Sequence, residues 1–195
     1  MERVVLLDEL GRDIGSADKA TVHDRDTPLH LAFSCYLFNP AGQLLLTRRA
    51  RSKRTWPGVV TNSCCGHPAP GESMADAVVR RLHDELGVDV GGVELLLPRF
   101  RYRAVMANGV VENELCPVFR AVIDAVTAVT ALPDPAEVDF AGWLDWPLFL
   151  DLATAGDLAV SPWCAEQLPQ LSALGPDPLA WPVADTGQLP PAATG

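Results

Sequence analysis

Gly66-His67-Pro68-Ala69-Pro70-Gly71-Glu72-Ser73-Met74-Ala75-Asp76-Ala77-Val78-Val79-Arg80-Arg81-Leu82-His83-Asp84-Glu85-Leu86-Gly87-Val88 changes character at its middle. Prolines and glycines make its first third a loop. From Glu72 onward the period is helical. Ala75, Val79, Leu82 and Leu86 follow at steps of four, three and four, which lines one helix face. Gly87 stops the helix, because glycine takes the left-handed C-terminal conformation without steric cost. The expected helix spans residues 72–86. It carries Arg81 and Glu85 one turn apart, and such a pair can hold a phosphate and a cation side by side. The same pair can also be a solvated ion pair worth about 0.2–0.5 kcal/mol.

Strands flank this loop and helix. Residues 3–8 and 30–38 are apolar enough for strands. Asn39-Pro40-Ala41-Gly42 is a turn, and Gln43 to Thr47 returns as the second arm of a hairpin. A basic loop, 48–54, leads to Trp56-Pro57-Gly58 and a short strand at 59–61. Beyond the helix, strands are expected at 93–106, 113–123 and 138–144, and short helices at 146–154 and 161–171. From Ser172 the chain is rich in proline with few apolar anchors. This divides it into one domain, 1–172, and a mostly extended tail, 173–195. Strand pairs around a helix, with further helices at the end, predict a mixed sheet covered on both faces.

The chain has 195 residues, 48% of them hydrophobic, which suits one domain with a real core. No apolar run reaches bilayer length. The N-terminus reads as a strand without a signal-peptide core, so a cytoplasmic protein is expected. The five cysteines have no framework spacing and no Cys-x-x-Cys pair, which argues against disulfides and a structural zinc site. All 15 basic residues lie at or before Arg120, balanced there by 15 acids. The last 75 residues hold ten acids and no base. With a pI near 4.7, nucleic acid and anionic membranes are poor partners.

The chemistry-bearing residues are few. His23, His30, His67 and His83 are the only histidines. Cys65-x-His67 and Glu112-x-Glu114 have i, i+2 spacing, which puts both side chains on one face of an extended segment. Together with His23 and His30 they offer nitrogen and oxygen donors suited to Zn²⁺, Mn²⁺ or Mg²⁺. From spacing alone, each histidine is equally readable as an isolated hydrogen-bonding residue. Adjacent Cys64 and Cys65 point to opposite sides of an extended chain, so one at most faces a given pocket. Arg48-Arg49-Ala50-Arg51-Ser52-Lys53-Arg54 places five charges in seven residues. No aromatic platform interleaves with them as in a single-strand nucleic-acid site, so a diphosphate fits better.

Gly66, Glu72, Arg80, Asp84, Glu85, Gly87 and Val88 resemble a degenerate Nudix box, with Arg81 where that box carries its first glutamate. Several further segments resemble the type 1 isopentenyl-diphosphate isomerases. They are Thr55-Trp56-Pro57-Gly58-Val59-Val60-Thr61-Asn62-Ser63-Cys64-Cys65-Gly66-His67-Pro68, Phe100-Arg101-Tyr102-Arg103-Ala104, Val111-Glu112-Asn113-Glu114-Leu115-Cys116-Pro117-Val118-Phe119, Leu29-His30-Leu31-Ala32-Phe33-Ser34 and Ser161-Pro162-Trp163. The likeness runs in order from about residue 3 to about 165. It implies an α/β (α+β) Nudix-like fold, a mixed β-sheet sandwiched between helices. The implied activity interconverts isopentenyl and dimethylallyl diphosphate through a tertiary carbocation.

The resemblance also implies roles. His23, His30, His67, Glu112 and Glu114 would ligate one divalent ion, Mn²⁺, Zn²⁺ or Mg²⁺. Glu85 and the main-chain carbonyl of Cys65 would help hold a Mg²⁺ on the substrate diphosphate, which Lys19, Arg49, Lys53 and Arg81 would bind. Cys65 and Glu114 would be the acid/base pair, Tyr102 would support Glu114, and Trp163 would line the hydrocarbon end. The expected partner is a small prenyl diphosphate, with no nucleic acid and no membrane, and the expected state is a monomer or weak homodimer. A Nudix hydrolase of a nucleotide or prenyl diphosphate is the alternative, disfavoured by Arg81 in place of a helix glutamate. A non-catalytic binding module is disfavoured because both Cys65 and Glu114 are present.

Overall fold

The computed structural model describes residues 2–124 and 133–194. Its strands are β1 (Arg3–Leu7), β2 (Asp13–Asp18), β3 (His30–Leu31), β4 (Phe33–Phe38), β5 (Gln43–Arg49), β6 (Val60–Thr61), β7 (Cys64–Gly66), β8 (Glu94–Leu97), β9 (Arg101–Val105), β10 (Val111–Leu115), β11 (Val118–Val122) and β12 (Val138–Asp145). The helices are α1 (Lys19–Val22), α2 (Met74–Leu86), α3 (Trp146–Ala155) and α4 (Pro162–Ser172). The architecture is mixed α+β, and the strands divide into two mixed sheets. One has the order β2-β1-β3-β10-β9; the other is β12-β5-β4-β11-β8, with β6 on β5 and β7 on β4.

Three segments expected as single strands each break and pass from one sheet to the other. The run 30–38 breaks at Ala32, 93–106 breaks at Pro98-Arg99-Phe100, and 113–123 breaks at Cys116-Pro117. Proline has no N–H to donate to a ladder, which accounts for the breaks at Pro98 and Pro117. At Ala32 the apolar run continues unbroken, so the pattern alone could not reveal that break, whereas Pro98 and Pro117 were signals available for the other two. β3 pairs with β10 and β4 with β11, both in parallel. The ladder is stitched across the break by Ala32 N–H to Leu115 O (3.0 Å) and Ser34 N–H to Pro117 O (3.1 Å). The sequence also hid β2 and α1, because Asp13–Asp18 is polar and largely exposed. Arg48 and Arg49, expected in a loop, end β5.

Each face of the seven-stranded sheet has its own core. Phe33, Cys35 and Leu37 of β4 pack with Ala77, Leu82 and Leu86 of α2. Tyr36 and Phe38 pack on the other side with Trp146, Phe149, Trp163 and Leu171 of α3 and α4. This explains why β4 is buried at every position. Helix α2 stops at Gly87 as expected, and Ser73 caps its start. The Ser73 hydroxyl accepts from Asp76 N–H, and Gly87 sits at φ +64° donating to His83 O. The buried face differs from the expected one. It is Met74, Ala77, Val78, Arg81, Leu82, Glu85 and Leu86, while Ala75 is exposed and Val79 half-buried. The reason is that Arg81 and Glu85 are turned inward toward each other, so charged residues share the face that apolar spacing assigns to others. Close approach of α2 to β7 requires Gly66, where a Cβ would stand 3.0 Å from both Arg81 Cγ and Phe33 Cζ.

The proline-rich segment after Ser172 is not a loose extended tail. It makes three short 3-10 turns and anchors in both cores. Trp181 is 2% exposed and packs edge-on against Trp146 and Phe38. Leu189 and Ala193 join the α2-side core. Its few apolar residues are therefore used fully, which composition alone does not disclose. No helix among the described residues is long and apolar enough to cross a membrane.

Candidate active site

The passage of two parallel strands between the sheets places the first cluster. The β3–β10 register sets His30 beside Glu114, and the β9–β10 register sets Tyr102 opposite Glu114. On the other sheet, β7 pairs Cys65 with Ser34 and Gly66 with Phe33, so His67 follows at the strand's end. His23 ends α1, and its loop is pinned to β10. Val111 N–H donates to Asp24 O (2.7 Å), and the Thr27 hydroxyl donates to Val111 O (2.7 Å).

Ligand atoms of His23, His30, His67 and Glu114 all lie within 4.8 Å of one another. Glu114 Oε1 is 3.1 Å from His67 Nε2 and 3.4 Å from His30 Nε2. His30 Nδ1 faces Pro28 O at 2.9 Å, which leaves Nε2 for the cluster. Three buried imidazole nitrogens, His23 Nε2, His30 Nε2 and His67 Nδ1, have no hydrogen-bond partner. An unsatisfied buried polar atom costs about 1–3 kcal/mol. A divalent cation that takes nitrogen and oxygen donors removes that cost, so the residues fit such an ion. Burial pushes the His23 pKa down to about 4 and that of His67 to about 3, which keeps both imidazoles neutral and able to ligate. Burial opposes charge on Glu114 too, yet His30 and His67 hold its carboxyl well below the usual range. The structure does not bring Glu112 into this group of four. Its carboxylate lies next door and shares the Tyr102 hydroxyl with Glu114, at 3.0 and 2.8 Å. Burial and then the Glu114 charge push Glu112 up to about 7.

A 490 Å³ cavity adjoins the cluster and brings together Cys65, Glu114, Tyr102 and Trp163 with Lys19, Arg49, Lys53 and Arg81. Cys65 reaches it from the seven-stranded sheet and Glu114 from the five-stranded one. Burial pushes the Cys65 thiol up to about 12, so it is protonated at neutral pH. The Trp163 indole lies 5.7 Å from the Tyr102 ring and 5.9 Å from Trp56, forming an aromatic wall. Cys64 points away from Cys65, and its Sγ is 3.6 Å from Glu85 Oε2 on α2.

The four expected diphosphate-binding cations all line the cavity, and each is already engaged. Lys19 bonds Glu2 at 2.8 Å, Lys53 bonds Glu137, and Arg81 bonds Glu85 with Glu137 at 3.5 Å. Arg49 donates to Thr55 O and Oγ1, and its guanidinium lies 6.0 Å from the Trp163 ring. Sequence reasoning missed Glu2 and Glu137, which hold Lys19, Lys53 and Arg81 in place. They come from polar stretches with no motif, and only the fold brings them to the cavity.

A NUDIX domain model matches residues 28–164. The chain is 58% identical to an isopentenyl-diphosphate Delta-isomerase of Saccharopolyspora erythraea, over 99% of this chain and 97% of the relative. It is 59% identical to one of Mycolicibacterium vanbaalenii, over 89% and 93%. It is 50% identical to one of Rhizobium rhizogenes, over 98% and 90%. Among solved structures, a Deinococcus radiodurans protein superposes with a TM-score of 0.66 at 22% identity, covering 87% of this chain and 98% of that one. A MutT protein of Methanosarcina mazei superposes at 0.60 and 17% identity, covering 75% and 94%. These two likenesses concern the fold.

Proposed function

This chain belongs to the NUDIX family and, within it, to the isopentenyl-diphosphate Delta-isomerases, and on that premise we propose that Cys65 and Glu114 move the protons of the reaction. The enzyme interconverts isopentenyl and dimethylallyl diphosphate. A proton is added to the terminal alkene carbon, a tertiary carbocation forms at the adjacent carbon, and a proton leaves the carbon on its other side. Two groups reaching one substrate from different elements suit this, one donating and one accepting, with roles exchanged on the return. The observation that carries the reading is that Cys65, Glu114 and the Trp163 indole border one cavity with four cationic side chains.

The cavity's parts divide the work. Lys19, Arg49, Lys53 and Arg81 bind the diphosphate, exchanging some of their present carboxylate partners for it. Trp163 faces the cation, and an indole face stabilises a desolvated cation by roughly 2 kcal/mol. The aromatic wall keeps water from trapping the cation. Tyr102 holds the orientation of Glu114 through its hydroxyl. His23, His30, His67 and Glu114, with Glu112 as a further donor, would hold one divalent ion, Mn²⁺, Zn²⁺ or Mg²⁺. Glu85 with the Cys65 carbonyl would hold a Mg²⁺ on the diphosphate. When bound, these ions supply positive charge that offsets the diphosphate and the buried carboxylates. The partner is a small prenyl diphosphate. We further propose a cytoplasmic monomer or weak homodimer; the last 75 residues, with ten acids and no base, disfavour nucleic-acid and anionic-membrane partners.

Incubation with isopentenyl diphosphate and Mg²⁺ in deuterated water tests the reading. Dimethylallyl diphosphate carrying deuterium is expected, without added flavin or nicotinamide. Release of phosphate or pyrophosphate with no isomerised product would favour the hydrolase instead.

A further inference from the structure

Asn62 is fully buried and is bonded by two residues that line the cavity, Cys65 and Trp163. Its amide is oriented by the backbone. Nδ2 donates to Cys35 O and to Cys64 O, both at 2.9 Å, so both amide hydrogens are used. The remaining polar atom of the side chain is Oδ1, an acceptor only. Three donors from different places converge on it. They are the Thr61 hydroxyl at 2.8 Å, the Trp163 Nε1–H at 3.2 Å and the Cys65 thiol at 3.2 Å. Thr61 is itself tied to Ser161, the N-cap of α4, with their hydroxyls 2.8 Å apart.

We propose that Asn62 is a positioning residue whose single carbonyl oxygen fixes the Cys65 thiol and the Trp163 indole relative to one another. This rests on the isomerase reading above and deepens it. An amide oxygen has two lone-pair directions, and here three donors compete for them. The thiol is the weakest donor of the three, so it is the one released most readily toward substrate, while the indole stays anchored. The proton-carrying sulfur and the ring that faces the cation are thereby set from one point, although their residues are about a hundred apart in sequence.

Two measurements test this, one of them independent of turnover. In the first, Trp163 Nε1–H is followed by ¹⁵N–¹H NMR in the wild-type chain and in Cys65→Ala. Loss of a competing donor strengthens the remaining bonds to Oδ1, so a downfield shift and slower solvent exchange are expected. An indole signal unchanged in Cys65→Ala would overturn the shared acceptor, whatever the activity. In the second, Asn62→Ala and Trp163→Phe are combined in a cycle. Misplacement of reacting groups by about 1 Å costs on the order of 100-fold in rate. Asn62→Ala is therefore expected to lower kcat by roughly that factor, with KM changed less than about threefold, since the cationic residues are untouched. It is also expected to release some hydrated tertiary alcohol diphosphate, and to cost less in the Trp163→Phe background than alone. A folded Asn62→Ala protein with normal kcat, or with losses that simply multiply in the double variant, would overturn the proposal. Should Asn62→Ala not fold, the NMR comparison decides alone. Failure of the isomerase reading would show separately, as a wild-type protein without isomerised product.

Discussion

Cys64 and Cys65 are neighbours in sequence with separate surroundings. Cys65 borders the cavity, while Cys64 faces Glu85 across β7. Cys65→Ala is expected to abolish isomerisation, by at least about 100-fold, with circular dichroism and metal content nearly unchanged, because a general acid–base group typically contributes about 10²–10⁴-fold. Cys64→Ala is expected to keep most of the activity. A dead Cys64→Ala beside an active Cys65→Ala would reverse the assignment. The histidines give a second prediction. An unfolded imidazole titrates near about 6.5. Below that pH the unfolded chain takes up protons at positions 23 and 67, while the folded chain does not until about pH 4 and 3. Stability therefore falls as pH falls through that window. His30 has the opposite sign. Burial opposes its charge, but Glu114 raises its pKa, so its contribution is full below about 6.5 and is lost as pH rises through the folded value. Glu112, pushed up to about 7, acts with His30 and against His23 and His67 between pH 7 and pH 5. The part owed to His67 is isolated by substitution: in the metal-free protein, His67→Gln is expected to raise the urea midpoint at pH 5 relative to that at pH 7, compared with the wild-type chain. An unchanged or lower ratio of the two midpoints would contradict this. At this scale the pairing of Cys65 with His67 and of Glu112 with Glu114 along one cavity was legible, because i, i+2 spacing marks a shared face. Asn62 was not, because its partners lie in distant elements and no spacing rule links them.

Helix α2 shows how an element can be found correctly and rotated wrongly. Its approximate span and its Gly87 stop were readable, whereas its Ser73 cap was not singled out. Its face was not, since Arg81 and Glu85 are buried against each other and carry no apolar signal. Leu82 lies on both the expected and the observed face and is fully buried. Leu82→Ala is expected to destabilise the fold by about 2–5 kcal/mol, the range for emptying a packed leucine site. Ala75→Ser, on the face now seen to be exposed, is expected to change stability by less than about 0.5 kcal/mol. Denaturant titration of both checks the rotation, and comparable losses would restore the face that spacing suggested. The sheet crossing at Ala32 was illegible for a similar reason. Leu31 and Phe33 are apolar on either side of Ala32, so hydrophobicity does not mark where a strand changes its partner.

The segment 173–194 joins the two halves of the molecule. Trp181 sits in the core under α3 and α4, and Leu189 in the core under α2. The backbone bonds along the way, with Ala184 N–H on Leu95 O at 2.8 Å and Ala192 N–H on Gly11 O at 3.0 Å. Gly11 is required there, as its φ is +76° and a Cβ would meet Pro190 Cβ at 2.9 Å. Trp181→Ala is expected to cost about 3–5 kcal/mol, measured as a shifted urea midpoint, whereas a free tail would lose nothing. Occupation of the histidine cluster acts on the whole fold as well. A divalent ion at about 100 times its Kd stabilises the native state by about 2.7 kcal/mol, so Tm should rise on titration with Mn²⁺ or Zn²⁺. His30→Gln should blunt that rise.

The parallel run of β3–β4 beside β10–β11 bears on how fast the molecule can assemble. The Thr27–Val111 hydrogen bond that helps hold this pairing closes a span of 84 residues. Helix α2 and the β4–β5 hairpin form from near neighbours, but the cluster of His23, His30, His67 and Glu114 exists only once that distant pairing is made. Loop closure of this kind is slow, because its entropy is lost before contacts repay it. Refolding watched by helix signal should thus run ahead of the return of metal affinity, and an ion added early should leave the rate of the slow phase unchanged.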